Sequence, residues 1–252
     1  MDTCLHNACL RIVVYYTVPT KRRVAMRVAR CVGCGLLALL IVFEGCGGGG
    51  TQVAEQRVCS ADTFVPNYVP QLNRLLYWAQ FPVRVYFERD EHYSDYYRAL
   101  ALQGFDQWVE ATSRVVRYVE VNTREEAQIV VYFKPNTTNG LTTFTYYPRS
   151  GLLESAKMEI GTRGNNPIDI RSVAAHEFGH ALGIYGHSTD PSDMMYATFV
   201  SNVPLRISPR DLNTLKTAYC TLFLERTRSV PRPDPDEKPV QVTIVCNHEH
   251  PH

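Results

Sequence analysis

The feature that most constrains this chain is the stretch HEFGHALGIYGH at residues 176–187. His176 and His180 are four residues apart, so on an α-helix they lie on one face, about one turn from each other. Two imidazoles in this arrangement can both bind one zinc ion. Glu177 is turned by about 100° from His176 around the helix, which places its carboxylate beside the ion rather than on it. The pattern therefore predicts a zinc-binding helix that carries a general base for a zinc-bound water.

An exposed polar stripe on an ordinary helix is the alternative interpretation, since a chance H-E-x-x-H is expected on the order of once in 100 such chains. The flanking letters argue against it, because SVAA before the motif and AL after it are small and apolar, as on a helix packed inside a domain. A buried His-Glu-His cluster without a partner would be costly in free energy. Metal binding removes that cost, so the flanks favour a metal site.

A third ligand is expected shortly after the helix. Gly183 stands three residues beyond His180 and can end the helix in a left-handed conformation. His187 then follows within reach of the metal. Asp211 and Glu225, in and at the end of the last predicted helix, are the alternatives. We expect His187, because a catalytic zinc usually takes three protein ligands and leaves a fourth position for water.

The periodicity of apolar residues predicts five strands and three helices in the folded part of the chain. The strands are predicted at 82–88, 115–121, 127–133, 141–147 and 155–161, and the helices at 93–112, over the metal-binding stretch after the cap residues 165–169, and at 208–220. Ser208 is a favourable N-cap, and Pro209 suits a first helical position. This order predicts an α+β fold in which the motif helix follows the sheet.

Composition and charge exclude other classes of function. The net charge is +1, with 45% hydrophobic and 20% charged residues, which is typical of a globular core. No basic patch or motif indicates nucleic acid. We therefore expect no nucleic-acid partner, and we expect a monomer.

The N-terminal residues have the pattern of an export signal. Residues 21–30 carry five Lys or Arg, and the uncharged run CVGCGLLALLIVF at 31–43 is short for a membrane span but fits a signal-peptide core. Met26 would be a more usual start. The stretch EGCGGGG at 44–50 resembles a bacterial lipoprotein cleavage site, with Cys46 lipidated and attached to the membrane, and the glycines as a tether. Plain secretion is the alternative, and both predict a secreted or cell-envelope protein.

Export would place the remaining cysteines in an oxidising compartment. Cys59, Cys220 and Cys246 follow the tether, so one disulfide is expected and three pairings are open. We favour Cys59–Cys220, which would join the start of the domain to its last helix. A latency role for Cys59 as a zinc ligand is the less favoured alternative.

These features divide the chain into four segments: a leader at 1–45, a Gly-rich tether at 46–58, a folded domain at 59–225 and a Pro-rich charged tail at 226–252. The His-rich end HEHPH belongs to the tail, and we expect it to be solvated rather than to bind metal.

The metal-binding stretch resembles that of the metzincin zinc endopeptidases, and among them the matrixin-like group. Those proteins carry H-E-x-x-H-x-x-G-x-x-H followed by a Met-turn beneath the metal. Here the stretch DPSDMMYATF at 190–199 follows the motif. The resemblance covers about residues 80–220, and its specific part is 172–196. It implies the following site residues: His176, His180 and His187 as zinc ligands, Glu177 as catalytic base, Gly183 as the turn glycine and Met195 as the Met-turn residue.

The sequence departs from the family pattern at two places. Gly186 stands where the strict spacing puts the third histidine, and His187 follows one residue later. We expect the turn at Gly183 and the conformational freedom of Gly186 to absorb the extra residue. In the stretch MMY at 194–196, the second methionine gives the matrixin register, which we favour, and the first gives the register of other relatives.

The resemblance implies a zincin-like fold, with a twisted mixed sheet, an active-site helix and a C-terminal helix, and it implies zinc endopeptidase activity. The substrate would be a peptide or protein that lies extended beside an edge strand near 155–161. Two alternatives remain: a zinc hydrolase of small amides, and a non-catalytic, surface-anchored binding domain. Asp190 and Asp193 add a structural Ca²⁺ ion as a second expectation, with ordinary turn chemistry as the default.

Overall fold

The computed structural model describes residues 11–17, 23–29, 76–198, 201–223 and 231–246. The chain divides into two units, residues 1–47 and residues 48–252. The described part of the first unit is a two-stranded antiparallel sheet of β1 (Arg11–Thr17) and β2 (Arg23–Ala29). The predicted signal core and Cys46 lie outside the described residues. None of the helices that are described has the length and apolar character needed to cross a membrane.

The second unit is built on a six-stranded mixed sheet. Its neighbours follow the order β4-β3-β5-β7-β6-β8. The first four of these strands are parallel to one another, whereas β6 is antiparallel to β7, and β8 is antiparallel to β6. The mixed sheet agrees with the predicted α+β fold. The strands are β3 (Val83–Phe87), β4 (Tyr118–Glu120), β5 (Ile129–Lys134), β6 (Gly140–Tyr146), β7 (Leu153–Gly161) and β8 (Val240–Val245).

The prediction of an edge strand at 155–161 was wrong. These residues belong to β7, which pairs with β5 on one side and with β6 on the other. An alternating pattern shows that a strand has two different faces, but it does not show how many neighbours the strand has. In the sheet, β6 is the neighbour of β7 on the side opposite β5, and β8 pairs with the other edge of β6.

Part of the segment predicted as a Pro-rich tail outside the folded domain is also a strand, so that boundary was wrong for residues 240–245. β8 pairs with β6 along its length from Leu141 to Tyr146. Hydrogen bonds connect the turn before β8 to the loop after β6. The Glu237 carboxylate in this turn accepts them from the backbone N–H groups of Arg149 and Ser150. The last strand therefore belongs to the main sheet.

The described part of this unit contains four helices, and two of them begin as the sequence predicted. The helix that begins at Pro167 has a capping box formed by Asn166 and Asp169. The helix that begins at Pro209 has one formed by Ser208 and Asp211. A proline follows each N-cap, where its missing N–H is not needed. The helices are α1 (Asp95–Ala111), α2 (Pro167–Ala181), α3 (Pro209–Ala218) and α4 (Cys220–Phe223).

Helix α2 is buried between α1 and the strands β6 and β7. Phe105 of α1 stacks on Phe178 of α2 with ring centroids 4.3 Å apart. The Trp108 indole N–H donates to the Ala175 carbonyl at 2.8 Å. A Cβ at Gly104 would lie 2.6 Å from a carbonyl oxygen of α2, so the two backbones are in direct contact. The helix that carries the first part of the motif is thus fixed in position by its packing against α1.

Candidate metal centre

Three histidine side chains converge on one point. The Nε2 atom of His180 lies 3.1 Å from Nε2 of His176 and 3.2 Å from Nε2 of His187. Imidazole nitrogens at zinc distances of about 2.0–2.1 Å in a tetrahedral site would lie about 3.3 Å apart. The three histidines predicted as ligands are therefore brought together at a spacing that fits zinc.

The protonation of the two helical histidines also fits a cation. Nδ1 of His176 donates to the Met194 carbonyl at 2.8 Å, and Nδ1 of His180 donates to the Ile184 carbonyl at 2.8 Å. A carbonyl can only accept, so the proton of each neutral ring is on Nδ1 and each Nε2 presents a lone pair. Burial and the two neighbouring histidines lower the pKa of His180 well below its ordinary value. Lone pairs that face each other at this distance repel unless a cation lies between them.

Gly183 ends the helix as predicted. Its φ is +109°, in the region that favours glycine. A Cβ at this position would lie 2.3 Å from the Leu76 carbonyl oxygen, so the close approach of this backbone also requires glycine. The chain turns here and directs the next segment back towards the metal centre.

The extra residue is accommodated between Gly183 and His187. Ile184 is buried and uses its carbonyl to orient His180. The Tyr185 ring packs edge-on against Phe144 of β6, with centroids 6.0 Å apart. Gly186 has no left-handed φ, so the conformational freedom predicted for it is not used in that way.

Glu177 lies beside the three histidines and is completely buried. Its Oε2 accepts the Thr142 hydroxyl at 2.6 Å. Gly140 leaves the space for this carboxylate, because a Cβ there would lie 2.2 Å from Oε1. Burial raises the pKa of Glu177 to about 7, and hydrogen bonds from Thr142 and Cys246 act in the opposite direction.

A fourth side chain, which the sequence analysis did not assign to the site, completes the group. The Cys246 sulfur lies 3.3 Å from Nε2 of His176, 3.3 Å from Nε2 of His187 and 3.6 Å from Nε2 of His180. A thiolate and an imidazole on one tetrahedral zinc would place these atoms about 3.6 Å apart. The same sulfur lies 3.2 Å from Oε1 of Glu177. Three histidines and one cysteine thus form a group of four side chains that could hold a metal ion.

Both methionines lie against the helix that carries the motif, and the choice between Met194 and Met195 as the Met-turn residue stays a prediction. A Cβ at Gly179 of α2 would lie 2.4 Å from the Met195 sulfur, so the Met195 side chain packs directly against α2 at this glycine. Met194 contributes its carbonyl to His176. Asp211 accepts the backbone N–H groups of Met194 at 2.8 Å and Met195 at 3.2 Å. Asp211, one of the alternative third ligands, therefore supports the methionine turn instead of the metal.

The two carboxylates considered for calcium have partners within the protein. Arg210 Nη2 lies 2.6 Å from Asp190 and 2.9 Å from Asp193. The Ser188 hydroxyl also donates to Asp193. These contacts are those of a stabilised turn, and the structural calcium ion stays a prediction.

The cysteines in the described part of the chain differ in state. Cys220 is disulfide-bonded and Cys246 is free. The partner of Cys220 lies outside the described residues, as does Cys59. The two pairings that involve Cys246 are excluded, and Cys59–Cys220 stays a prediction. Glu225 and the histidines of the tail end also lie outside the described residues.

Comparison with protein families matches the matrixin model of the peptidase M10 family over residues 84–220, just over half of the chain. Three similar proteins illustrate the match. Human matrix metalloproteinase-20 is 60% identical over 38 residues, which is 15% of this chain and 8% of that protein. The hatching enzyme of Paracentrotus lividus is 35% identical over 82 residues, which is 32% of this chain and 14% of that protein. Rat stromelysin-3 is 32% identical over 95 residues, which is 36% of this chain and 19% of that protein.

The chain spans less than a fifth of the length of these curated relatives. Among solved structures, the hatching enzyme HCE-1 from Oryzias latipes, a zinc protease, is 13% identical and aligns with 57% of this chain and 94% of its own, with a TM-score of 0.38. That superposition is too weak to carry an argument.

Proposed function

The chain belongs to the matrixin family, and on this premise we propose that it is a zinc-dependent endopeptidase. One observation carries the proposal. The Nε2 atoms of His176, His180 and His187 meet at one point, with the buried carboxylate of Glu177 beside it. Three nitrogen ligands, an acid–base group and a fourth position make up the catalytic zinc sites of hydrolases.

The three histidines hold the ion in this proposal, and the protein around them fixes their direction. The carbonyls of Met194 and Ile184 orient the two helical rings, and such outer partners commonly tune the affinity for a metal. When bound, zinc acts as a Lewis acid that lowers the pKa of a coordinated water and polarises a substrate carbonyl.

Glu177 moves the proton. Thr142 donates to Oε2, which leaves Oε1 directed at the fourth position. The Cys246 sulfur occupies this position and lies 3.2 Å from Oε1, a distance within the reach of a general base. Oε1 can therefore accept a proton from an attacking water at this position and transfer it to the nitrogen of the leaving amine.

We place the peptide substrate along β6 rather than along β7, because both edges of β7 are occupied by other strands. The outer edge of β6 can pair with an extended chain, as its ladder with β8 demonstrates. An added strand gives affinity through backbone hydrogen bonds and leaves specificity to side-chain pockets. The same strand contains Gly140 and Thr142, so a peptide on β6 would lie next to Glu177.

The proposal includes export, with the protein either secreted or anchored through a lipid on Cys46. The uncharged run at 31–43 after a basic stretch supports a signal sequence. The disulfide at Cys220 supports an oxidising compartment. We expect the exported domain to act as a monomer.

The proposal is tested by incubating the zinc-loaded full-length chain with casein or gelatin. Because Cys246 lies at the fourth position, both the wild type and a Cys246→Ser variant are assayed. We expect internal cleavage that a hydroxamate chelator abolishes. Cleavage of short amides without cleavage of either protein would favour the small-amide hydrolase, and no cleavage of any of these would favour a non-catalytic domain.

A further inference from the structure

The C-terminal segment occupies the two places that a working endopeptidase needs open. We propose that residues 237–246 form an internal inhibitory segment, in which β8 covers the substrate edge of β6 and the Cys246 sulfur is the fourth zinc ligand. The inhibitory role rests on the proposed endopeptidase function. The role of Cys246 as a ligand rests on the geometry of the metal-binding group alone.

The Cys246 thiol lies where a fourth ligand of the three-histidine group would lie. Its sulfur is within 3.3–3.6 Å of all three histidine Nε2 atoms, and the four candidate ligand atoms lie within 4.8 Å of one another. Cysteine sulfur and histidine nitrogen are the preferred ligands of zinc. Cys246 is only 1% exposed, so its sulfur faces the metal centre rather than solvent.

The strand that carries the thiol lies where a substrate strand would lie. β8 follows β6 in antiparallel register over six residue pairs, and the hydroxyls of Thr143 and Thr243 are hydrogen-bonded at 2.8 Å. The turn before β8 is fixed by Glu237 on two backbone N–H groups and by Arg149 on Asp236 at 2.9 Å. These contacts determine the register that places Cys246 at the metal.

A fourth protein ligand changes what the centre can do. Catalytic zinc sites keep one position for water, whereas sites with four protein ligands are closed. In the described arrangement Oε1 of Glu177 meets the sulfur at 3.2 Å, where an attacking water would lie. The segment therefore keeps the enzyme latent, and its displacement opens the metal and the edge of β6 together.

The segment is held weakly enough to be displaced. Ile244 is the one buried residue within β8, and Val240 and Val245 are exposed. An edge strand that buries so little apolar surface can open without unfolding the rest of the domain. A permanently closed structural zinc site is the competing explanation, but such a site has no use for a buried carboxylate at Glu177.

The role of Cys246 as a ligand is tested by spectroscopy on the full chain loaded with Co²⁺ in place of Zn²⁺. A thiolate ligand gives a near-ultraviolet sulfur-to-cobalt charge-transfer band that imidazole ligands do not give. We expect this band in the wild type and its loss in Cys246→Ser. Val245→Ser, at the neighbouring exposed residue, is the matched control and should keep the band. A wild-type spectrum without the band would overturn the assignment.

The inhibitory role is tested by peptide hydrolysis with the zinc-loaded proteins. Ile244→Asp introduces a charge at the buried residue of β8 and should release the strand with its thiol. We expect hydrolysis at least about tenfold faster than in the wild type, because the fourth position opens to water. Val245→Ser should behave as the wild type.

The outcomes separate the two proposals. Equal hydrolysis by the wild type, Cys246→Ser and Ile244→Asp would overturn the inhibitory role and leave the endopeptidase function standing. A charge-transfer band in the wild type, combined with no hydrolysis by any of these proteins, would identify a structural zinc site. That result would overturn both the inhibitory role and the endopeptidase function.

Discussion

Three side chains of the candidate metal centre, those of His176, Glu177 and His180, are oriented by contacts with residues outside the helix that carries them. His176 is oriented by a carbonyl of the methionine turn, and His180 by the carbonyl of Ile184 just beyond the helix. Glu177 is fixed by Thr142 of β6. The motif supplies the chemistry, and these partners supply the directions in which the side chains point.

His187 is expected to be the third zinc ligand. His187→Ala should lose most of its zinc on dialysis, because two imidazoles alone form an incomplete site. The change is made together with Cys246→Ser so that the thiol cannot substitute. His92→Ala, at a half-exposed histidine remote in sequence from the motif, is the control and should keep zinc. Full zinc retention in His187→Ala would contradict the assignment and reopen the search among downstream carboxylates.

Gly140 leaves the space for the Glu177 carboxylate. An added Cβ would lie 2.2 Å from Oε1 of Glu177, so the carboxylate must move in Gly140→Ala. General acid–base groups contribute about 10²–10⁴-fold to rates, so in proteins that also carry Ile244→Asp, which opens the fourth position, we expect Gly140→Ala to slow hydrolysis at least about 100-fold with zinc still bound. Thr145→Ala, on the same strand and half-buried, should change hydrolysis little. Unchanged hydrolysis in zinc-loaded Gly140→Ala would exclude this role for the glycine.

Helix α3 and the methionine turn stabilise each other through one carboxylate. Asp211 is the third residue of the α3 capping box and also accepts both methionine N–H groups. In Asp211→Ala these two buried donors lose their partner at about 1–3 kcal/mol each, so we expect a loss of roughly 2–6 kcal/mol of unfolding free energy. Urea unfolding measures the loss, and Glu91→Ala, at an exposed carboxylate, should stay within about 0.5 kcal/mol. A loss in Asp211→Ala no larger than the control would refute the role.

Elements with a strong local signal were predictable from the sequence, and their partners were not. The caps of α2 and α3 and the turn at Gly183 follow from residue types at fixed positions. The interior position of β7 depends on which strands pair with it, and no local pattern encodes that. The alternation in VQVTIV at 240–245 was a strand signal, but the charged, Pro-rich stretch before it indicated a tail.

At the scale of the whole molecule, the site is assembled from segments that are distant in sequence. Residues 176–187 carry a motif that predicts their chemistry, so the histidines and Glu177 could be found from the sequence. Gly140 and Thr142 reach Glu177 only because β6 packs against α2. Cys246 directly follows β8 and lies 59 residues after His187. Its only sequence signal was that one disulfide among the three cysteines after the tether leaves one thiol over.

Export is also a property of the whole chain. If Cys46 carries a lipid, the expressed protein should partition into detergent, and Cys46→Ser should release it or stall its processing. Cys34→Ser is a control for the loss of a thiol, since it leaves the lipidation residue and the predicted disulfide intact. The same soluble product from the wild type and Cys46→Ser would identify plain secretion.

Zinc binding by the three histidines and proton transfer by Glu177 can be tested in one comparison. Zinc content and peptide hydrolysis are measured for Glu177→Gln and its parent, both carrying Ile244→Asp so that the fourth position is open. We expect equal zinc content and hydrolysis at least about 100-fold slower in Glu177→Gln, because an amide keeps the shape of the side chain but cannot accept the proton. Hydrolysis at the parent's rate by zinc-loaded Glu177→Gln would contradict proton transfer by Glu177.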